Sequence, residues 1–173
     1  MITTQRIQKL LAASYLEDMA TRDLSVLRAM CTECRSFETS TSFYRRLAQA
    51  RIEILEAERQ RRSRGGSVED LIADLPHILA GDTGRSGQTN ARVATPELPE
   101  IELHWVDGAE RLIADDTLTN LPALGEEELD KILGLLQVFE RDLSGIRMRL
   151  HKVIDLVERE IATREAASAS APG

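Results

Sequence analysis

Aromatic residues are scarce in this chain, which contains only 3 Phe, 2 Tyr and 1 Trp among 173 residues. A globular core or a β-sandwich normally draws much of its buried volume from aromatic side chains, so this composition argues against both. The chain is instead dominated by aliphatic residues, Ala, Arg and Glu. Such a composition is typical of helix bundles and coiled coils.

Cysteine is also rare, which bears on the redox compartment of the protein and on whether it has a metal or redox site. Cys31 and Cys34 are the only two cysteines, which excludes a disulfide framework and predicts a reducing, cytoplasmic environment. Their C-x-x-C spacing lacks a second pair of metal ligands. Because Cys34 falls on a predicted hydrophobic seam, we expect a buried small apolar residue rather than a metal or redox site.

Two further absences narrow the function. No apolar run is long enough to span a bilayer, and the N-terminus lacks the features of a secretion signal. The net charge of −7 does not favour binding to nucleic acid through bulk electrostatics, so an anion site must be a local basic cluster. We therefore expect a cytoplasmic protein that does not bind DNA or membranes directly.

The pattern along the chain predicts an all-α fold: two long helices in an antiparallel coiled coil, with short accessory helices and a flexible linker. Residues 1–62 should contain a short helix over 3–20, then a first long helix from Asp23. A Gly-Gly pair ends that helix, and Ser67 to Asp70 resembles a capping box before another short helix. Residues 63–125 form the linker with short helices, including one around 109–114 and a mobile part from Gly81 to Pro99. The second long helix covers 126–164, and 165–173 is predicted to be a disordered tail.

Each long helix carries a seam of residues with alternating steps of 4 and 3, the heptad pattern of a coiled coil. The second seam consists of Ile132, Leu136, Phe139, Leu143, Ile146, Leu150, Val153 and Val157. A weaker seam lies 102 positions earlier and consists of Met30, Cys34, Phe37, Thr41, Tyr44, Ala48, Arg51 and Leu55. Two helices that cannot bury such a stripe alone should pair with each other.

A polar stripe beside each seam repeats with the same offset of 102. On the second helix it comprises Glu140, Ser144, Arg147, His151 and Asp155. On the first it comprises Glu38, Ser42, Arg45, Gln49 and Glu53. On a helix, such spacing places five side chains on one face. In an antiparallel pair the equivalent flanks meet on one side, so both copies should line a single site with approximate twofold symmetry.

The residue types in the stripe favour a guanine nucleotide as ligand. Arginine offers a forked donor for phosphate or for the O6 and N7 edge of guanine, and serine can donate to phosphate. Carboxylates repel phosphate but accept hydrogen bonds from guanine N1–H and N2–H. Acids and bases together therefore suit a guanine nucleotide better than bare phosphate or DNA.

The paired stripe resembles the mark of the RsiG family, the cyclic-di-GMP-responsive anti-sigma factors of sporulating actinobacteria. Members carry Glu-x3-Ser-x2-Arg-x3-Gln-x3-Asp once on each of two coiled-coil helices. Here His151 replaces Gln in the second copy, and Glu53 replaces Asp in the first. The flanking stretches YRRLAQARIEILEAE and LHKVIDLVERE are also similar to the family.

The resemblance implies a function. Such proteins bind an intercalated dimer of cyclic di-GMP, two molecules, across both motifs, and the loaded form sequesters the sigma factor WhiG and represses late sporulation genes. By carry-over, Arg45 and Arg147 would contact guanine or phosphate, and Ser42 and Ser144 would contact phosphate. The four acids would accept from guanine edges or orient the arginines: Glu38, Glu53, Glu140 and Asp155. The fourth motif positions are Gln49 and His151.

Three other interpretations are open at this point. The stripe is also compatible with a solvated helix flank bearing Glu–Arg pairs. A ligand-independent coiled-coil adaptor would use those charged flanks to bind a protein partner. A cyclic-di-GMP hydrolase would need a metal or general-base cluster, and the sequence contains no such motif. We expect a protein that is not an enzyme and holds no metal.

Overall fold

A computed structural model describes the backbone of residues 5–80 and 120–169 and the side chains of residues 5–76 and 120–169. The α-helices are α1, Gln5–Leu10; α2, Leu24–Arg64; α3, Val68–Ala80; and α4, Glu126–Ala169. Three short 3-10 helices cover Ala13–Tyr15, Met19–Thr21 and Leu121–Ala123. The described ranges contain no β-strand, and α2 and α4 pack against each other, which confirms the predicted all-α coiled-coil class.

The chain divides into two compact units, and each long helix contributes to both. Unit one combines the described residues of Met1–Phe43 with those of Asp142–Gly173. Here Arg28 donates to Glu165 at 2.7 Å and Arg35 donates to Glu158 at 2.6 Å. As the residue number rises along α2 it falls along α4, so the two helices are antiparallel in this unit.

Unit two comprises the described residues of Tyr44–Arg141. Gln137 donates to Glu56 at 3.3 Å and Arg59 pairs with Asp130 at 3.6 Å, so the pairing is antiparallel here too. Its core draws on α2, α3, α4 and the 3-10 helix before α4. The buried members are Leu55, Leu71, Leu121, Leu129, Leu133 and Leu136.

Both predicted seams are buried with few exceptions. On α4 seven of the eight seam residues are buried, and only Ile132 is partly exposed. On α2 the partly exposed position is Phe37, which lies under the Arg6 guanidinium. The polar seam residue Thr41 is fully buried, and its hydroxyl donates to the Phe37 carbonyl at 2.7 Å. Burying a hydroxyl costs little free energy when it is hydrogen-bonded within its own helix, so Thr41 can occupy a seam position.

Local sequence signals fix the turn between α2 and α3. Gly65 adopts a φ of 68°, which is costly for residues with a Cβ atom, and ends α2. The Gly65 N–H donates to the Arg62 carbonyl and the Gly66 N–H donates to the Arg61 carbonyl, the pattern of a Schellman cap. Ser67 and Asp70 then exchange hydrogen bonds at 2.8 and 3.2 Å, so the predicted capping box is confirmed.

A buried ionic cluster joins the end of α2 to the segment before α4. Glu58 is 1% exposed and accepts hydrogen bonds from Arg61 and Arg62, each as short as 2.6 Å. Arg62 also donates to the carbonyls of Leu124 and Leu121 at 2.7 and 2.8 Å. The cluster therefore fixes the approach to α4 within unit two, and sequence reasoning did not foresee it.

The ends of the described chain differ from the sequence-based expectation. The sequence predicts a helix over 3–20, but α1 stops at Leu10 and two 3-10 helices follow. Asp18 has a left-handed φ of 58°. The Arg22 side chain donates to the Tyr15 carbonyl, and the Arg164 side chain donates to the carbonyls of Met19 and Arg22. These side-chain donors compensate for helical hydrogen bonds that are not formed.

At the other end, α4 continues to Ala169 rather than stopping at Arg164. Its last residues are mostly Ala and Glu, which favour helix, and Glu165 pairs with Arg28 of α2. The predicted mobile segment over 81–99, the helix around 109–114 and the last four residues of the predicted tail lie outside the described residues.

Candidate functional site

The motif residues of unit one gather around the carboxylate of Glu38. Its Oε1 atom accepts from Ser42 Oγ at 2.8 Å and from Arg147 Nε at 2.9 Å. His151 Nε2 lies 3.2 Å from the same oxygen. Ser42 is one turn from Glu38 on α2, and Arg147 and His151 are one turn apart on α4, so helical spacing alone aligns each pair. One donor from α2, Ser42, and one from α4, Arg147, therefore converge on a single carboxylate, and His151 of α4 lies beside it.

The environment of Glu38 keeps it ionised. Burial raises the pKa of this carboxyl, but the hydrogen bonds from Arg147 and Ser42, with the charges of His151 and Arg147, lower it by more. The net pKa lies below its usual value of 4.5. At neutral pH Glu38 is thus an anion that orients the arginine of the opposite helix.

Unit two contains the equivalent arrangement around Glu140. Its Oε1 atom accepts from Gln49 Nε2 at 3.1 Å and from Arg45 Nη1 at 3.5 Å. The side chains of Arg45 and Glu140 are 21% and 23% exposed. The contacts around Glu140 are looser than those around Glu38, because the ion pair between Arg45 and Glu140 is longer by 0.6 Å than the one between Arg147 and Glu38.

The two sets of contacts are reciprocal. In each unit the first motif residue of one helix meets the third and fourth motif residues of the other helix. Glu38 of α2 meets Arg147 and His151 of α4, whereas Glu140 of α4 meets Arg45 and Gln49 of α2. Each set of contacts requires that α2 and α4 run antiparallel with their motif-bearing flanks in contact. Both units therefore have the antiparallel pairing that the sequence repeat predicts.

Two polar atoms of the unit-two motif have no hydrogen-bond partner among the described residues. They are Arg45 Nε, a donor, and Gln49 Oε1, an acceptor, and both are buried. An unpaired buried polar atom costs roughly 1–3 kcal/mol. Atoms of a polar ligand bound beside them would relieve that cost, and one donor with one acceptor matches the mixed edge of a nucleobase.

An open groove of about 480 Å³ runs beside these residues in unit two. It is lined by three motif residues, Gln49, Glu53 and Glu140, and by four others, Ile52, Glu56, Gln137 and Arg141. Arg141 is exposed and makes no hydrogen bond or ion pair with a described residue. Sequence reasoning did not select Arg141 or Gln137, because neither belongs to the five-residue stripe.

The other motif residues lie at the margins of these contacts. Ser144 is half-buried in unit one and makes an interaction of its own. Asp155 is exposed and makes no hydrogen bond or ion pair with a described residue. Asp155 does not join the cluster around Glu38, so geometry alone does not assign it to a contact.

A further pair extends each set of contacts beyond the motif. Arg35 donates to Glu158 in unit one, and Gln137 donates to Glu56 in unit two. Positions 35 and 137, like 56 and 158, differ by the same offset of 102. Extending the repeat comparison by one turn at each end would have revealed these pairs.

Three further observations within the described ranges concern metal-binding groups, membrane-spanning helices and the two thiols. No group of three or more His, Cys, Asp or Glu side chains there could hold a metal ion. No helix found in the described part of the chain is both long and apolar enough to cross a membrane. Cys31 and Cys34 are free and buried, and burial is the main cause that raises the pKa of both thiols.

Comparison with known proteins identifies the family. No curated protein matches the chain. The model of the family described as RsiG-like matches residues 13–79 and 115–172, which include both long helices and both motif copies. The chain therefore belongs to the RsiG-like family, which indicates an anti-sigma factor role and a sigma factor as its general partner.

Proposed function

We propose that this protein is an anti-sigma factor controlled by cyclic di-GMP. Two molecules of the ligand bind at the two motif copies, and the loaded protein sequesters a sigma factor of the WhiG type. The sequestered sigma factor cannot join RNA polymerase, so its sporulation genes stay unexpressed. The place of action is then the cytoplasm, where the sigma factor meets the polymerase.

The observation that carries this proposal is the reciprocal contact of the two motif copies. Glu38 holds Arg147 in unit one, and Glu140 holds Arg45 in unit two. A solvated helix flank would need only local pairs along one helix. Cross-helix pairs that repeat with the offset of the sequence motif instead support a shared ligand-binding role for both copies.

Arg147 is held in a way that favours ligand binding. It uses Nε to donate to Glu38, and its two terminal nitrogens make no hydrogen bond with a described residue. The side chain is 40% exposed. A guanidinium fixed at Nε presents its outer fork in a defined direction, which suits a guanine edge or a phosphate.

The carboxylates give the site its selectivity for guanine. Glu53, Glu56 and Glu140 line the groove in unit two together with one cation, Arg141. This balance disfavours an inorganic phosphate but supplies acceptors for guanine N1–H and N2–H. Each charge-assisted hydrogen bond contributes about 1.5–3 kcal/mol, so several can outweigh the cost of association.

The proposal includes binding without turnover. A hydrolase for cyclic di-GMP would need a metal-bound water or a positioned general base. The described residues that surround Glu38 and Glu140 form hydrogen-bonded ion pairs, which suit ligand recognition. We therefore place the protein among regulatory binding proteins that act on a protein partner, without direct contact with DNA.

Sigma-factor capture with and without cyclic di-GMP tests this function. A WhiG-type sigma factor should be retained by the immobilised full chain only when the ligand is present. Arg147→Ala and Arg45→Ala should abolish that retention, whereas the matched controls Arg159→Ala and Arg46→Ala, at exposed positions of the same helices, should keep it. Retention that ignores the ligand would instead identify a coiled-coil adaptor, and loss of intact cyclic di-GMP over time would identify a hydrolase.

A further inference from the structure

Arg141 lines the groove in unit two, next to the motif residue Glu140 and one helical turn from Gln137. Its side chain is exposed and makes no hydrogen bond or ion pair with a described residue. An arginine with no partner in the protein keeps its five N–H donors available to a ligand. Arg141 is therefore a cation that the contacts of the described residues do not use.

The other side-chain donors that line this groove are already engaged. Gln49 Nε2 donates to Glu140 at 3.1 Å, and Gln137 Nε2 donates to Glu56 at 3.3 Å. Each amide thus has its nitrogen turned toward a carboxylate of the opposite helix. Among the described side chains that line the groove, Arg141 is the donor that remains for an incoming anion.

The charge of the groove makes a cation necessary if a phosphate is to bind there. The lining contains three carboxylates, those of Glu53, Glu56 and Glu140, against the one guanidinium of Arg141. Cyclic di-GMP carries two phosphodiester groups, each negatively charged at neutral pH, and the carboxylates would repel them. An arginine beside a phosphate offsets that repulsion and can donate two parallel hydrogen bonds to it.

This cation is present in only one copy of the sequence repeat. The position 102 residues before Arg141 is Thr39, whose hydroxyl donates to the Arg35 carbonyl of its own helix at 3.0 Å. The Arg35 side chain is engaged with Glu158 at 2.6 Å. The unit-one copy thus has no cation at the position equivalent to Arg141, so a role for Arg141 would distinguish the two halves of the site.

We propose that Arg141 is a further ligand-binding residue, which holds a phosphate of cyclic di-GMP in unit two. The inference rests on the proposed function, because it adds a contact to the same ligand site. The exposure of Arg141 suits a phosphate, which stays partly hydrated. The buried unpaired atoms Arg45 Nε and Gln49 Oε1 remain for the base, together with the carboxylates of the groove.

Isothermal titration of the full chain with cyclic di-GMP, alone and with a WhiG-type sigma factor, tests the inference. Arg141→Ala should raise the dissociation constant about tenfold, because a charge-assisted contact is lost. Arg141→Lys keeps a positive charge that can pair with phosphate, so it should raise the constant by less than about threefold. The matched controls should bind like the native protein. They are Thr39→Ala, at the equivalent exposed position, and Arg159→Ala, which also removes one exposed positive charge.

The outcomes separate this inference from the proposed function. Native affinity in Arg141→Ala would overturn the phosphate contact and leave the proposed function standing. Equal losses in Arg141→Ala and Arg141→Lys would also overturn it, because a contact that needs the forked guanidinium would indicate a guanine edge. Failure of the native protein to bind cyclic di-GMP in both conditions would overturn the proposed function and this inference together. Urea unfolding midpoints should be equal for the native protein and Arg141→Ala, which excludes lost structure as the cause of weaker binding.

Discussion

Arg147 of α4 donates through Nε to Glu38 of α2 at 2.9 Å, and this ion pair has a counterpart between Arg45 and Glu140 at 3.5 Å. In both pairs an acid of one helix orients the arginine of the other. Because each acid is the first residue of one motif copy and each arginine the third of the other, neither copy is complete by itself. The proposed ligand site thus depends on helix pairing as well as on motif sequence.

The first prediction concerns the shape of the arginine rather than its charge. Arg147→Lys keeps the positive charge but removes the fork and the Nε donor to Glu38, so binding of cyclic di-GMP should weaken by about tenfold or more. Isothermal titration with the sigma factor present measures the change. Arg159→Lys is the matched control on the same helix and should bind like the native protein. Equal affinities for both variants would show that Arg147 contributes only charge.

The second prediction concerns the buried cluster in unit two. Glu58→Ala leaves Arg61 and Arg62 without their shared carboxylate, and breaking a buried ion pair from one side typically costs about 3–5 kcal/mol. Urea denaturation followed by circular dichroism should show this loss in the free energy of unfolding. Gln60→Ala, an exposed neighbour, should change it by less than about 0.5 kcal/mol. A loss below about 1 kcal/mol for Glu58→Ala would contradict a structural role for the cluster.

The third prediction follows from the pKa of the same carboxyl. Hydrogen bonds from Arg61 lower the pKa of Glu58 most, burial opposes them, and Arg62 lowers it further, so it lies below the usual value of 4.5. A carboxyl whose pKa is lower in the folded state than in the unfolded state stabilises the fold at pH values above its unfolded-state pKa. That contribution is lost as pH falls through its folded-state pKa. The stability difference between the native protein and Glu58→Gln should therefore shrink between about pH 6 and pH 3. A difference that stayed constant over this range would contradict the assignment.

Much of the architecture could be predicted because the repeat recurs at one fixed offset. The heptad seams from Met30 and from Ile132 specify two helices that must pair, and the polar stripe beside them specifies an antiparallel register. Local signals also sufficed at the turn after α2, where Gly65 and the capping box of Ser67 and Asp70 determine the backbone within a few residues.

What could not be predicted depends on contacts between residues distant in sequence. Arg164 donates to the carbonyls of Met19 and Arg22, and these bonds support the 3-10 turns that replace the expected helix after Leu10. Likewise Arg62 reaches the carbonyl of Leu124 across 62 positions. Periodicity describes only which face of a helix is apolar, so it does not reveal which carbonyl a long arginine side chain will reach.

The fourth prediction uses two glycines with opposite roles. Gly65 has a φ of 68°, so Gly65→Ala places a Cβ atom in a left-handed conformation and should destabilise the protein by roughly 1 kcal/mol. Gly134 lies inside α4, and a Cβ atom there would meet no atom within 4 Å. Gly134→Ala should therefore stabilise by about 0.5–1 kcal/mol through helix propensity. Urea midpoints that move in the same direction for both variants would contradict the assigned conformations.

The stoichiometry of cyclic-di-GMP binding tests the central claim most directly. Titration calorimetry of the full chain, alone and with a WhiG-type sigma factor, should give two ligand molecules per chain in at least one condition. Glu38→Gln with Glu140→Gln should weaken that binding without changing the helix content, because both arginines would lose the acids that orient them. Absence of ligand binding in both conditions, or binding that is unaffected in the double variant, would contradict the account.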